Sequence, residues 1–225
     1  MKLVHNQMEL QIEFDHETPA TLVVESPIAM RMLVSDLKRQ NAGDFGGFVY
    51  SENDLKELSL EQECELIMDP FLTTDDNKRF ATKLLQSLRS IASNEDNFER
   101  TAQIEASLLQ YASSLIHAID ETVIFADHIE TGALLKTLGF MYDFNDPSIV
   151  ENLVTYAKAA NSLLRKRLFV FVHIRSFLED EELRYLTESI HGMKCYVLFL
   201  EQIYRNPFMN KEKCCIIDRD LCEIF

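Results

Sequence analysis

One stretch decides the fold: LFVFVHIRSFLEDEELRYLTESIHGMKCYVLFL, at residues 168–200. Two continuous apolar runs, 168–172 and 195–200, flank a segment at 180–190 that begins with acids and has the pattern of a helix. Strands without a polar face are typical of a parallel sheet covered on both sides, and a helix between two of them makes a βαβ unit. The stretch therefore predicts an α/β protein.

Similar signals occur near the start of the chain. Residues 8–14 alternate between apolar and polar side chains, as a half-buried strand does, and residues 21–26 form an apolar run suited to a central strand. Ser26 followed by Pro27 predicts the N-cap and first residue of a helix that runs to about residue 40. Short strands are also predicted at 48–51, 65–69 and 214–218. We expect all of these strands to join those of 168–200 in one mainly parallel sheet.

The middle of the chain has a different character. Apolar side chains recur at helical spacing in three successive segments, with stripes that start at Phe80, Ile104 and Ile149, and no convincing strand is visible there. The sequence therefore predicts a helical leg at 76–164, inserted into an α/β head made of residues 1–75 and 165–225.

Length and composition limit the possible classes of protein. The chain has 225 residues, of which 47% are hydrophobic and 26% charged, as expected for a folded globule that needs no disulfide or metal for stability. Its apolar runs are shorter than the ~18 residues that a membrane span needs, and its first residues alternate too much for a signal peptide. The five cysteines are odd in number and lack a CxxC pair, which favours reduced thiols. We expect a cytoplasmic protein without a membrane partner.

Charge is unevenly distributed along the chain. The net charge is −15, yet residues 77–94 and 152–178 contain Lys and Arg but no acids, whereas residues 101–135 contain five acids and no Lys or Arg. Such blocks are often the solvated faces of helices. A protein that binds DNA with one face and repels it elsewhere would show the same pattern, and both interpretations stay open at this point.

The connection from the first apolar strand to its helix lacks the chemistry of a nucleotide site. A phosphate loop needs glycines and a lysine, but residues 25–31 read ESPIAMR, with a proline where an N–H donor is wanted. The strand at 168–172 ends in His173 and not in a metal-holding acid. If the head resembles a P-loop fold, its nucleotide site is degenerate. The sequence also lacks HExxH, GxSxG and GxGxxG, so no motif supports an enzyme.

One acidic group has the residue types of a cation site. Hard cations such as calcium bind several carboxylate and carbonyl oxygens, and four carboxylates lie within eleven residues of the acid-only stretch: Asp120, Glu121, Asp127 and Glu130. The spacing matches no EF-hand. The alternative is a solvated acidic face near the start of a helix, where Asp and Glu are favoured.

Several segments together resemble a known family. They are ATLVVESPIAMRMLVSDL at 20–37, ALLKTLGF at 133–140, RKRLFVFVHIRSFLEDEELRYLTESI at 165–190, CYVLFLE at 195–201 and CIIDRDLCEIF at 215–225. In these segments and in their order, the chain is similar to the short form of the type II-A CRISPR adaptation protein that forms a ring on DNA ends.

This resemblance implies a degenerate P-loop-like α/β head with a helical leg, assembled as a homotetrameric ring. Family members bind ends of double-stranded DNA in the positively charged hole of the ring, use calcium to hold the assembled form, and have no nuclease or ATPase activity. They take part in spacer acquisition beside the CRISPR integrase complex and the effector nuclease. Within the acidic group, Glu121 and Asp127 fit the family's cluster best, whereas Asp120 and Glu130 are added on spacing.

A ring that threads DNA needs cations on its inner wall and no base contacts. The two basic blocks supply two candidate groups and the first helix a third, which together comprise Lys78, Arg79, Lys83, Lys158, Arg165, Lys166, Arg167, Arg31, Lys38 and Arg39. An acidic adaptor scaffold that binds only proteins is the alternative function. An active nucleotide hydrolase would need a phosphate site of an unrecognised kind.

Overall fold

A six-stranded sheet forms the centre of the larger of two units. We describe a computed structural model for residues 1–8, 10–52, 56–119, 121–220 and 223–224. Across the sheet the strands follow in the order β10 (Glu223–Ile224), β9 (Lys213–Ile217), β3 (Ala20–Val24), β8 (Tyr196–Glu201), β7 (Leu168–Val172) and β6 (Cys64–Ile67). All neighbours are parallel except β10 and β9. The predicted α/β class with a mainly parallel sheet is confirmed.

A second, antiparallel sheet lies in the same unit. Its order is β2 (Leu10–Glu13), β1 (Lys2–His5), β4 (Phe48–Glu52) and β5 (Lys56–Leu58). The expectation of one common sheet is therefore wrong for the segments 8–14 and 48–51. Both segments pair with β1, which the sequence does not signal because it has only four residues.

Helices cover both faces of the six-stranded sheet. The unit contains α1 (Pro27–Asn41), α2 (Leu60–Glu63), α6 (Ile149–Leu164), α7 (Asp180–Gly192) and a 3₁₀ turn at Ile174–Ser176. On one face, Leu33 of α1 shares a buried core with Val170 and Leu198. On the other, the Tyr156 hydroxyl of α6 donates to Glu65 Oε1 of β6 at 2.6 Å. The α1 and α6 helices thus lie on opposite faces, because Glu65 follows Cys64, which belongs to the α1 core.

The second unit is the helical leg. It spans Asp75–Tyr142, and the head comprises Met1–Thr74 and Asp143–Phe225. The structure thus differs from the predicted boundaries at one end, because α6, which the sequence assigns to the leg, packs in the head. Its apolar stripe would look the same in either place, since periodicity reports a buried face and not the identity of its neighbour.

The leg has three helices in its described part: α3 (Lys78–Ala92), α4 (Phe98–Ile116) and α5 (Thr131–Thr137). Its two ends are joined by a pair of hydrogen bonds. The Asn77 side chain donates from Nδ2 to the Tyr142 carbonyl at 3.0 Å, and its Oδ1 accepts from the Tyr142 N–H at 2.7 Å. The buried Asn77 therefore holds the chain where it enters and leaves the leg.

The helices are too short or too polar for the interior of a lipid bilayer. Within the described ranges, none combines the length and the apolar character needed to span it.

Candidate nucleic-acid interface

The start of α1 occupies the position of a phosphate loop without offering its donors. Ser26 caps the helix, and its Oγ accepts from the Ala29 N–H at 3.5 Å. Pro27 has no N–H to donate, and Ile28 beside it is 72% exposed. Glu25 is exposed and would repel an anion. The start of α1 therefore presents an exposed apolar side chain in its first turn, and an acid just before its cap, where a nucleotide phosphate would need amide donors.

An acid does end a strand next to β3, which sequence reasoning missed. The sequence does not reveal which strand lies beside β3, and that neighbour is β8 and not β7. Glu201, the last residue of β8, is buried, and its Oε1 accepts from the Arg175 N–H at 3.0 Å. Burial raises the pKa of the Glu201 carboxyl. This carboxylate fixes the turn after β7, so its structural role is clear without a metal.

The same turn carries a buried ion pair. The Arg175 Nη1 lies 3.3 Å from Glu212 Oε1, and both side chains are almost inaccessible to solvent. The Arg175 Nη2 also donates to the Asn206 carbonyl at 2.7 Å. Arg175, although part of the basic block 152–178, is therefore a structural residue and is not available to DNA.

The first basic group lies on the outer face of α1. Arg31 and Lys38 are exposed and seven residues apart, which places them on the same side of the helix, almost two turns apart. Arg39 is also exposed, and with Lys38 it lies in the last turn, where cations are favoured by the helix dipole. Asp36, an acid of the same helix, is held by His5 Nε2 at 3.2 Å and by the Gly47 N–H at 3.1 Å. The α1 group is thus a row of solvent-facing cations.

The second group lies at the end of α6. Lys158 and Arg165 are exposed and again seven residues apart, hence on one side of the helix. Arg165 is the C-cap and adopts the left-handed conformation, with φ 60° and ψ 29°. Its N–H donates to the Asn161 carbonyl at 3.0 Å, which closes the last turn.

The next two residues of this group are held by the head. Lys166 is buried, and its ammonium donates to the Glu61 carbonyl. The Arg167 Nε lies 2.6 Å from Glu63 Oε2, and this hydrogen bond to Glu63 raises the pKa of Arg167. The structure therefore reduces the predicted run Arg165, Lys166 and Arg167 to one exposed candidate, Arg165.

The third group lies at the beginning of α3 in the leg. Lys78, Arg79 and Lys83 are all exposed. The Lys78 Nζ is 2.7 Å from Asp75 Oδ1, and this hydrogen bond raises the pKa of the Lys78 ammonium. The Arg79 guanidinium lies 5.5 Å from the centre of the Phe80 ring. Arg79 and Lys83, four residues apart, share one side of the helix.

The predicted cations therefore form separate groups within a single chain. The α1 and α6 groups lie on opposite faces of the head, and the third belongs to the leg. Sequence reasoning also missed Arg184 and Lys211, which line a groove of about 390 Å³ beside Pro19 and Phe208. The positive charge of Arg184 does not stand out in the sequence, because Arg184 lies in α7, whose first turn is acidic.

The described members of the predicted cation site do not converge. Glu130 caps α5 through a hydrogen bond from the Ala133 N–H at 2.6 Å, and its other oxygen lies 2.8 Å from Arg89 Nη2. Asp127 is exposed, and its hydrogen bond with His128 at 2.9 Å lowers the pKa of the Asp127 carboxyl. Glu121 is exposed as well.

The remaining member, Asp120, lies outside the described residues. In the part of the chain that is described, no three His, Cys, Asp or Glu side chains are grouped to hold a metal ion. The described carboxylates alone thus do not make up a calcium site, and we derive no step through calcium.

Comparison with known proteins decides the family. The family model described as CRISPR-associated protein (Cas_Csn2) matches residues 40–221. The chain belongs to the Csn2 family. A curated Csn2 protein from Streptococcus agalactiae is 26% identical over 154 residues, which cover 66% of this chain and 67% of that protein.

A solved structure agrees with the architecture. The crystal structure of Stu0660 of Streptococcus thermophilus is similar with a TM-score of 0.54 and 14% sequence identity, over 96% of this chain and 74% of that one. At this identity the likeness shows the fold alone. The family thus rests on the sequence comparison, and the solved structure supports the α/β fold.

Proposed function

We propose that this Csn2-family protein is a non-catalytic protein that binds ends of double-stranded DNA. In this proposal it acts in the cytoplasm as a homotetrameric ring and takes part in spacer acquisition with the CRISPR integrase complex and the effector nuclease. Two observations carry the proposal: the chain belongs to the Csn2 family, and at the start of α1 Pro27 has no N–H while the Ala29 N–H is already bonded to Ser26. Binding of nucleic acid then depends on surface cations and not on a nucleotide pocket.

The exposed cations support this mode of binding. Lys158 with Arg165, and Arg31 with Lys38, each make a row along one side of a helix, and such a row can contact successive phosphates. Phosphate contacts position a protein on DNA without reading its sequence, so binding through these rows would be independent of sequence. Symmetric copies would multiply each row, which is how a chain of net charge −15 could still hold DNA.

A gel-shift experiment with linear and covalently closed DNA of one sequence tests the proposal. The wild-type protein should bind linear duplex with a strong salt dependence and bind closed circles poorly, since a ring loads from a free end. The double variant Lys158→Glu with Arg165→Glu should lose binding to linear DNA near physiological salt. A matched control, Lys136→Glu with Lys194→Glu, changes two exposed cations outside the three groups and should bind as the wild type does.

Two results would contradict the proposal. Equal binding of linear and closed DNA would exclude loading from ends. Absence of any binding to DNA, with intact folding, would favour the acidic protein-binding adaptor. Calcium stays an expectation of the family resemblance, and the melting experiment below tests whether a single chain forms the site by itself.

A further inference from the structure

Four neighbouring strands of the six-stranded sheet are each followed by large apolar side chains that are exposed. The strands β3, β8, β7 and β6 are parallel, so their carboxyl ends lie at one edge of the sheet, about 4.8 Å apart from strand to strand. In an open α/β sheet this is the edge at which ligands bind. We call these side chains the edge patch, and their exposed fractions lie between 46% and 72%: Ile28 after β3, Ile203 and Tyr204 after β8, Phe177 after β7, and Met68 and Phe71 after β6.

One half of the edge patch is held by contacts between the segments that carry it. The rings of Phe71 and Phe177 meet edge to face, with their centres 5.3 Å apart, and so join the segment after β6 to the segment after β7. Asp69 Oδ1 accepts from the Phe71 N–H at 2.9 Å, which fixes the turn that carries this ring. The two aromatic side chains therefore keep their places at the edge although about half of each is in water.

The other half is carried by the loop after β8, which the buried Arg175 holds. Arg175 Nη2 donates to the Asn206 carbonyl at 2.7 Å, and the Arg175 carbonyl accepts from the Arg205 guanidinium. Ile203 and Tyr204 directly precede these two anchored residues. Polar contacts thus fix the loop and leave its largest apolar side chains exposed. A surface that is already fixed loses little conformational entropy when a partner binds to it.

Acids surround the edge patch. Glu25, Asp69 and Asp180 are exposed and lie within three residues of Ile28, Phe71 and Phe177, respectively. Two cations are also near in sequence. The guanidinium of Arg205 is engaged by the Arg175 carbonyl, and Arg31 is one turn further into α1. The rim of the patch therefore favours a partner with positive charge.

We propose that the edge patch binds a segment of a partner protein in which large apolar side chains are flanked by Lys or Arg. The proposal rests on the partners proposed above, the CRISPR integrase complex and the effector nuclease, and identifies the surface that one of them contacts. With their exposed fractions, the six side chains offer roughly 600 Å², the upper end of the ~300–600 Å² found for the largest apolar patch of a monomer. This is most of the ~800 Å² that each partner contributes to a standard interface.

Other occupants fit the edge patch less well. DNA and anionic lipid would be repelled by the acids of the rim, and Pro27 offers no N–H to a nucleotide phosphate. Two copies of this chain that paired through the same patch about a two-fold axis would bring the rim acids of one copy against those of the other. A basic and apolar segment satisfies both the charge of the rim and the apolar surface within it.

Affinity measurements with the proposed partners test the patch. Immobilised wild-type protein should bind the purified integrase complex or the purified effector nuclease of the same CRISPR system, and binding should weaken as salt rises. Phe177→Ser and Ile203→Ser should each weaken it about tenfold or more, as expected for apolar anchors of an interface. The matched control is Phe45→Ser, since Phe45 is 93% exposed in the turn after α1, away from the patch. It should bind as the wild type does, and melting curves show whether each variant is folded.

Charge reversal tests the rim separately. Glu25→Lys with Asp180→Lys should weaken binding of the same partner and reduce its salt dependence. Glu57→Lys with Glu188→Lys makes the same change of charge at two exposed positions elsewhere in the head and should leave the affinity unchanged. Tighter binding in the rim variant would mean that the partner segment is acidic, and the inference would then be wrong.

Photo-cross-linking identifies the bound segment. Benzoylphenylalanine in place of Phe71 should link to a peptide of the partner that contains Lys or Arg beside apolar residues. A linked peptide from a second copy of this chain would make the patch a self-interface and overturn the proposal. Full affinity in both Phe177→Ser and Ile203→Ser, or no binding of either partner to the wild type, would also refute it. All patch variants should keep the wild-type gel shift, so DNA-end binding is judged independently.

Discussion

Replacing Arg165 by glycine should stabilise the protein and at the same time weaken its binding to DNA. Arg165 holds a left-handed conformation at the end of α6 with φ 60°. That conformation costs an L-residue roughly 1–2 kcal/mol. Glycine avoids this cost, but its larger loss of backbone entropy on folding reduces the benefit by about 0.5–1 kcal/mol. The net gain is about 0.5–1 kcal/mol, which for a domain of this size raises Tm by roughly 1–4 °C.

The same substitution removes an exposed cation from the proposed interface. For every phosphate that the protein no longer neutralises, the slope of log K against log salt should fall by about 0.9, and symmetry-related copies can multiply this change. Thermal melting followed by circular dichroism and a gel shift over a salt series measure the two effects. An unchanged salt slope would remove Arg165 from the interface, and a lower Tm would refute the argument from backbone conformation.

For the next residue, Lys166, we expect the opposite effects on stability and on DNA binding. Lys166→Met keeps the length of a buried side chain but removes the charge-assisted hydrogen bond to the Glu61 carbonyl, which should cost about 1.5–3 kcal/mol. We expect a lower Tm and an unchanged salt slope. A reduced slope in this variant, with its stability preserved, would mean that Lys166 faces DNA after all.

Three further predictions concern pH, calcium and packing. Burial lowers the pKa of His191, whose Nε2 is buried without a hydrogen-bond partner in the described structure. Because the folded protein favours the neutral imidazole, its stability should fall as the pH drops below the ordinary pKa of 6.5. The variant His191→Gln should make Tm less dependent on pH between 7.5 and 5.5, and an equal dependence in both proteins would contradict this. Dilute monomeric protein should melt at the same temperature in calcium, magnesium or chelator, because the described carboxylates do not converge; a calcium shift that disappears in Asp127→Ala would show that they form a site. Leu33→Ala, at a fully buried position of α1, should cost about 2–5 kcal/mol in urea unfolding, whereas Ile28→Ala on the same helix, 72% exposed, should cost under about 0.5 kcal/mol, and similar losses in both would contradict the assigned packing.

Much of the head could be predicted because its strands and caps carry strong local signals. The runs at 168–172 and 195–200 are apolar throughout and form β7 and β8, and Ser26 with Pro27 begins α1 as expected. The second sheet could not be predicted, since β1 and β5 are only four and three residues long. Such strands are specified by their pairing partners, which a local pattern does not contain.

The candidate interface was only partly predictable, for a different reason. Charge in the sequence gives the sign of a side chain but not its partner. Lys166 and Arg165 are adjacent and both basic, yet one ammonium donates to a main-chain carbonyl in the head and the other side chain is exposed. Arg167 likewise meets Glu63, more than a hundred residues earlier in the chain. Contacts between distant segments decide which cations are available to bind DNA.

The joined ends of the leg bear on how proteins of this kind can change over time. The two ends of the segment between Asn77 and Tyr142 are joined by one side chain, because the Asn77 amide bonds to both the N–H and the carbonyl of Tyr142. Residues gained or lost between those two positions need not alter the register of any strand in the head. The length of the helical arms is thereby separated from the folding of the sheet, so insertions and deletions in this one segment can remodel the leg while the scaffold that specifies the fold stays constant.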